Sequence, residues 1–443
     1  MANPSGKIMH HLASLLALSL ACAACHPPLP ERSRVISTPP AKRPALTYHD
    51  IMASLSSKEI KGLARSNNAF GLDLFAKIRT QKGNLALSPL SLATALTMTW
   101  AGARGETAEQ MKKVLHQSGT IEQALDLNGK LLAIYQDPEL NLTLRIANRL
   151  FVEKTYTFEP SYLDITRTTF GASIEPVDFR RDFDASRQHI NAWIASATQD
   201  RIKDLLPPQR VDDDTRLVLA NALYFLGGWI RPFSKQLTAA APFHLTASES
   251  RDAATMHQTD LFNFAAMDGV KLLEMFFPGG VLAMTLVLPD QIDGLDAVES
   301  RLSPAVLDAW LGALTDYRVD IALPKFEIDP AGSLALRDKL EALGMPLAFK
   351  TKKADFTGIA NPPVLLDRLY MDDIFHKTFI RIDEKGTEAT AATAVMMRNH
   401  MRSPPPPPPR AEFHADHPFL FFLRDVRSGM ILFMGRVSDP TAK

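Results

Sequence analysis

Cysteine is almost missing from this chain: Cys22 and Cys25 are the only two among 443 residues. A disulfide framework is thereby excluded as a source of stability. Both cysteines close a short apolar run, Leu12 to Ala24, broken only by Ser14, Ser19 and Cys22 and preceded by Lys7, His10 and His11. The run is too short to span a bilayer and has the layout of a bacterial-type secretion signal. Small residues precede each cysteine, as at the acylated cysteine of a lipoprotein; ordinary cleavage there would yield a secreted protein instead. As a CxxC pair they lack the second ligand pair that a zinc site needs. Charge of one sign is also missing, since 49 Lys and Arg balance 49 Asp and Glu. That excludes a nucleic-acid binder held by bulk electrostatics, and the adjacent Lys112 and Lys113 read as a solvated helix face. Catalytic signatures are absent too: there is no GxSxG, HExxH, P-loop or GxGxxG, and no cysteine nucleophile survives removal of a signal. Neither an enzyme nor a metal or cofactor is expected.

What remains is the composition of a large soluble domain, with 46% hydrophobic and 22% charged residues. Residues 1–25 are expected to form the signal, 26–46 a linker rich in Pro, Arg and Ser, and 47–443 the folded domain. Apolar residues at three- and four-residue spacing predict helices over Ser66–Arg79 and Pro89–Thr99, the second opened by Ser88 ahead of Pro89. Strands are predicted over Arg216–Leu226, Val281–Leu288 and Tyr317–Leu323, and over Phe419–Leu423 and Met430–Met434 across a turn at Gly429. The run LAMTLVLP is nearly all apolar, which implies a strand covered on both faces. The class is α+β with large sheets. Asn141, Leu142 and Thr143 spell a glycosylation sequon that reads as coincidence.

The stretch EKGTEATAATAV, Glu384 to Val395, has a period of two. One face of an extended strand would carry Thr387, Ala389, Ala391, Thr393, Val395 and Met397, small and uncharged. The other would carry Glu388, Thr390, Ala392, Ala394, Met396 and Arg398, with every charge. Six prolines, Pro404 to Pro409, follow Arg402 and Ser403, and they cannot donate to a central sheet. A strand-competent segment joined to a strand-incompetent one suggests a switch.

These residues resemble the hinge of the serpins, serine protease inhibitors that trap their target by inserting a cleaved loop into a sheet. NLALSPLSLATALTMTWAGARGET (Asn84 to Thr107), INAWIASATQDRIKDLL (Ile190 to Leu206), LVLANALYFLGGW (Leu217 to Trp229) and ADHPFLFFLRDVRSGMILFMGRVSDP (Ala415 to Pro440) resemble further family segments in the same order. The resemblance implies a single-domain serpin fold with a large central sheet, further sheets, about nine helices and an exposed reactive-centre loop at about residues 384–412. It implies an inhibitory member, a bacterial secreted or lipoprotein-like one given the N-terminus, acting on a serine protease as a suicide substrate and working as a monomer.

Site residues follow from the same resemblance. The hinge is Glu384, Lys385, Gly386, Thr387, Glu388, Ala389, Thr390, Ala391 and Ala392. Ser88, Ser91, Asn221 and His376 match a hydrogen-bonded gate beneath the central strands; read alone, each would simply satisfy a backbone group. Trp229 and Lys325 match the place where the loop enters, although a core tryptophan and a surface lysine would look the same in sequence. The family's spacing puts the scissile bond after His400, before Met401. Chemistry favours Arg402 followed by Ser403, because a guanidinium suits the acidic pocket of a trypsin-like protease; Arg398 lies two residues short of the usual place. The prolines are expected to form a stiff polyproline II spacer, with a ligand for a partner domain as their other use. A non-inhibitory serpin acting as a carrier or chaperone is the rival reading, and the small hinge residues argue against it.

Overall fold

Two serine caps set the first helices. In the computed structural model, which describes residues 56–135, 143–171, 174–364, 367–387 and 407–442, Ser56 Oγ accepts the Glu59 N–H while the Glu59 carboxylate accepts the Ser56 N–H. This capping box starts α1 (Ser57–Ile78) well before the predicted Ser66. Ser88 Oγ likewise accepts the Ser91 N–H at 3.1 Å and starts α2 (Pro89–Trp100). Every residue of α2 is buried, so it is a core helix without a solvent face. The remaining helices are α3 (Gly105–Val114), α4 (Ile121–Tyr135), α5 (Pro160–Phe170), α6 (Phe179–Ala197), α7 (Leu295–Arg301), α8 (Pro304–Gly312) and α9 (Arg337–Leu343), nine among the described residues.

The strands are β1 (Leu85–Leu87), β2 (Thr143–Glu153), β3 (Ile174–Val177), β4 (Leu217–Gly228), β5 (Ala239–Thr246), β6 (Glu249–Met267), β7 (Val270–Phe276) and β8 (Leu282–Pro289). They continue with β9 (Thr315–Pro324), β10 (Phe326–Ile328), β11 (Leu334–Ala335), β12 (Ile374–Ile382), β13 (Gly386–Thr387), β14 (Arg410–His414), β15 (Phe419–Asp425) and β16 (Ile431–Val437). A seven-stranded sheet has the order β10-β12-β4-β2-β3, with β11 on β12 and β13 on β4. A nine-stranded sheet runs β1-β16-β15-β8-β7-β6-β9-β14, with β5 on β6. The strand LAMTLVLP, β8, is buried at every residue, as its unbroken apolar run requires. Met430 falls just outside β16, which runs on to Val437.

Layering follows from strand alternation. On β4, Val218, Ala220 and Ala222 join Ile190 and Ile194 of α6 in one cluster, while Leu217 and Leu219 face a second cluster that includes α2. Ser88, at the head of α2, is bonded to both sheets: its hydroxyl donates to the Leu432 carbonyl on β16, and its N–H donates to His376 on β12. Two arginines are buried in the nine-stranded layer with carboxylate partners, Arg424 with Glu274 and Arg436 with Glu299, which offsets their desolvation. The described residues from Ser56 onward belong to one compact unit. None of the described helices is long and apolar enough to cross a membrane.

Candidate functional site

The site is built around β4 and β12, which run parallel and are paired from Leu219 with Ile374 to Tyr224 with Phe379. His376 and Asn221 are register partners in that ladder. Both are fully buried, as are Ser88 and Ser91. The Ser88 N–H can only donate, so His376 Nε2, 3.0 Å away, is the unprotonated nitrogen. The ring proton therefore sits on Nδ1 and is donated to Asn221 Oδ1 at 2.6 Å. Asn221 Nδ2 donates in turn to Ser91 Oγ at 2.6 Å, the Ser91 carbonyl at 3.0 Å and Asn148 Oδ1 at 2.5 Å. Burial drives the His376 pKa down to about 3. Thr378, two residues on, donates to the Ala86 carbonyl at 3.2 Å.

The structure thus brings Ser88, Ser91, Asn221 and His376 into one network and adds Asn148 and Thr378, which sequence reasoning missed. A lone Asn or Thr within a strand carries no periodic signal, and Asn148 meets Asn221 only because β2 pairs with β4. Such a network holds two parallel strands to the helix beneath them through directional bonds that can be exchanged. Interdigitated hydrocarbon would have to be repacked.

Above this network the two strands part company. Among the described residues the β4–β12 ladder ends at Tyr224 and Phe379; Ile380 to Ile382 pair instead with β10. The chain then reverses in a tight hairpin, with Gly386 N–H donating to the Asp383 carbonyl at 3.0 Å and Asp383 N–H donating back to the Gly386 carbonyl at 2.9 Å. The returning β13 pairs antiparallel with the far end of β4, Gly386 with Gly228 and Thr387 with Gly227. Gly386 has φ +115°, and a β-carbon on it would lie 2.4 Å from the Gly227 carbonyl oxygen. Only glycine fits there.

Three side chains hold this hairpin. Glu384, 5% exposed, pairs with Lys325 Nζ at 3.1 Å and accepts from Thr238 Oγ1 at 2.9 Å. Burial works to raise its pKa, but bonds from its own backbone, Lys325 and Thr238 outweigh that and hold it below the usual carboxylate value. Trp229 donates from its backbone N–H to the Lys385 carbonyl at 2.8 Å and from Nε1 to the Asp383 carbonyl at 3.1 Å. Its ring stacks on Phe277 with centroids 4.8 Å apart. The contribution of Thr238 had no signal in sequence. Lys385 itself is exposed.

At the other end of the loop, Pro407 to Pro409 are exposed, and the Pro409 carbonyl accepts the Arg318 N–H at 2.8 Å as the chain enters β14 beside β9. The strand that follows the loop thus begins at Arg410. Glu388, Ala389, Thr390, Ala391 and Ala392 of the hinge, the reactive-site candidates Arg398, His400, Met401, Arg402 and Ser403, and Cys22 and Cys25 lie outside the described residues. Among the described residues no cluster of three or more His, Cys, Asp or Glu could hold a metal ion.

Comparison with known proteins agrees with this architecture. The family model described as "Serpin (serine protease inhibitor)" matches residues 65–440. Human leukocyte elastase inhibitor (Homo sapiens) is 36% identical over 388 residues, covering 85% of this chain and 99% of that protein. Human antithrombin-III is 34% identical over 400 residues, covering 88% of this chain and 84% of its own. The crystal structure of Serpin48 from the insect Tenebrio molitor superposes with a TM-score of 0.74 at 34% identity, over 85% of this chain and 98% of that one. Uncleaved ovalbumin gives a TM-score of 0.75 at 27% identity, over 86% and 100%. A family model spanning most of the domain and relatives aligned nearly end to end leave one conclusion: the chain belongs to the serpin family.

Proposed function

We propose that this serpin inhibits a serine protease by acting as a suicide substrate, and that its loop inserts as a new strand between β4 and β12. The observation that carries the reading is β13: two hinge residues already lie on the upper end of β4, where the β4–β12 ladder is open. If that register continues, each further loop residue pairs one step down the strand, and Leu217, where β4 begins, falls opposite Met397. Arg398 to Ser403 then lie just beyond the strand, where the acylated protease would be carried.

The side chains suit that path. Residues paired across an antiparallel ladder share a face. Ala392 and Ala394 would lie beside Ala222 and Ala220 under α6, where space is small. On the opposite face Thr393 would reach Asn221 and His376, whose mutual bond must open to admit it, and its hydroxyl offers both a replacement partner. About a dozen new ladder bonds at roughly 0.5–1.5 kcal/mol each give on the order of 10 kcal/mol, comparable to the whole stability of an ordinary domain. Such an insertion displaces the protease by roughly 40–50 Å at about 3.3 Å per residue.

The target is proposed to be trypsin-like, cut after Arg402. Mixing the protein with trypsin tests this: a complex should survive boiling in detergent, and the released C-terminal peptide should begin at Ser403. A peptide beginning at Met401 or Arg402 would move the bond upstream; loop cleavage without any stable complex would count against inhibition. The N-terminal run is part of the proposal as an export signal, and a mature protein whose first residue is an acylated Cys22 or Cys25 would mark a lipid-anchored form.

A further inference from the structure

We infer that a cleft behind Trp229 is a binding site for a small amine with an apolar, aromatic body. The cleft has a volume of about 340 Å³, within the range of small-molecule sites. Its walls are Trp229, Ile230, Leu261, Phe262, Met275 and Phe276. Ile230 and Leu261 are among the few large apolar side chains left exposed, at 38% and 40%. The cleft keeps its shape because the Ile230 N–H is bonded to the Phe276 carbonyl at 3.0 Å and Trp229 is stacked on Phe277.

Charge selects the ligand. Three polar residues reach the cleft: Arg231, Asn263 and Asp316. Arg231 is committed, with Nε 3.4 Å from Asp260 Oδ2, its guanidinium bonded to the Leu261 carbonyl and lying over the Phe262 ring. The Asn263 amide donates to Glu274 at 2.9 Å, which leaves its oxygen as an acceptor. Asp316 is exposed and opposite Asn263 in the β6–β9 ladder, and among the described residues no cation pairs with it. The unmet groups are thus acceptors, one of them anionic, set among aromatic rings. An ammonium on an aromatic body satisfies both features.

Trp229 couples the cleft to the hinge, since the same residue holds the Asp383 and Lys385 carbonyls. An occupant packed on the indole braces the uninserted hairpin, and binding that form in preference stabilises it. This second part rests on the insertion reading; the binding itself does not.

Dansylcadaverine, a fluorescent aromatic amine, is the probe, read by polarisation and by energy transfer from tryptophan. Saturable one-to-one binding is expected, at least about tenfold tighter than for the anionic dansylglycine, with Asp316→Asn and the cleft-filling Leu261→Trp each weakening it about tenfold, the equivalent of about 1.4 kcal/mol. Both substitutions are at exposed positions, and unchanged circular dichroism confirms folding. No saturable binding, equal binding of the two dansyl compounds, or binding indifferent to both substitutions overturns the site. Saturating probe should raise the melting temperature of the intact protein and not that of the loop-cleaved protein. Binding with equal shifts in both forms overturns the coupling and leaves the site standing.

Discussion

His376 and Asn221 stand at the same level of two adjacent parallel strands, and the imidazole Nδ1–H of one is donated to the amide oxygen of the other at 2.6 Å. Together with Ser88 and Ser91 they tie these two strands to the helix below. Asn221→Ala removes the hub of this network and orphans groups on Ser91, Asn148 and His376. Each buried group left without a partner costs about 1–3 kcal/mol. The intact variant should therefore melt several degrees lower than wild type and lose more than His376→Ala, which orphans only the Ser88 N–H and the Asn221 oxygen. Differential scanning calorimetry of the two variants checks the order.

Acid should loosen the same latch. The His376 pKa is depressed from 6.5 to about 3, so between those values the unfolded chain binds a proton that the folded chain does not. Folded stability then falls as pH falls below about 6.5, by up to about 1.4 kcal/mol per unit. The Glu384 pKa is also depressed, so its contribution is present above its ordinary value of 4.5 and is lost as pH drops below it. Urea midpoints from pH 7 to pH 4 should decline, and His376→Gln should flatten the upper part of that decline, from pH 6.5 to 5. Equal slopes in the two proteins would remove His376 from the account.

Gly386 is the pivot of the hairpin. Gly386→Ala places a β-carbon 2.4 Å from the Gly227 carbonyl oxygen at φ +115°, a strain of about 1–3 kcal/mol. The intact form should be destabilised, and the amides of Gly227 and Thr387 should exchange faster with solvent deuterium.

In the proposed insertion, Thr393 is the residue brought opposite Asn221 and beside His376. Thr393→Val keeps the shape and removes the hydroxyl, so the intact protein should melt as wild type does. The loop-cleaved form should lose about 1 kcal/mol or more, the worth of a buried hydrogen bond and its unsatisfied partner. An equal effect on both forms would place Thr393 elsewhere.

The elements were legible in the sequence where local chemistry decides them. Ser88 and Pro89 announce α2, the run LAMTLVLP announces a strand buried on both faces, and the Ser56 to Glu59 spacing carries the capping box that starts α1, although the polar turns after it hid that start. What was not legible depends on distant pairing. The contact between His376 and Asn221 spans 155 residues, and that between Lys325 and Glu384 spans 59. Neither has a periodic signature, so these residues stood out only through resemblance to relatives. Asn148, within β2, and Thr238, in the turn just ahead of β5, were not found at all, because an amide or hydroxyl looks alike in sequence whether it meets water or a buried partner. The open upper end of the β4–β12 ladder is a property of two strands together and has no trace in either one.

The central claim is that the loop becomes a strand between β4 and β12. Nicking the intact protein with a protease that is not trapped, and comparing its melting temperature with that of the uncut protein, tests this most directly. Insertion worth on the order of 10 kcal/mol should raise the melting temperature by about 10 °C or more, since about 1 kcal/mol is roughly 1 °C in a domain of this length. Equal melting temperatures before and after cleavage would contradict insertion and favour a serpin that does not inhibit.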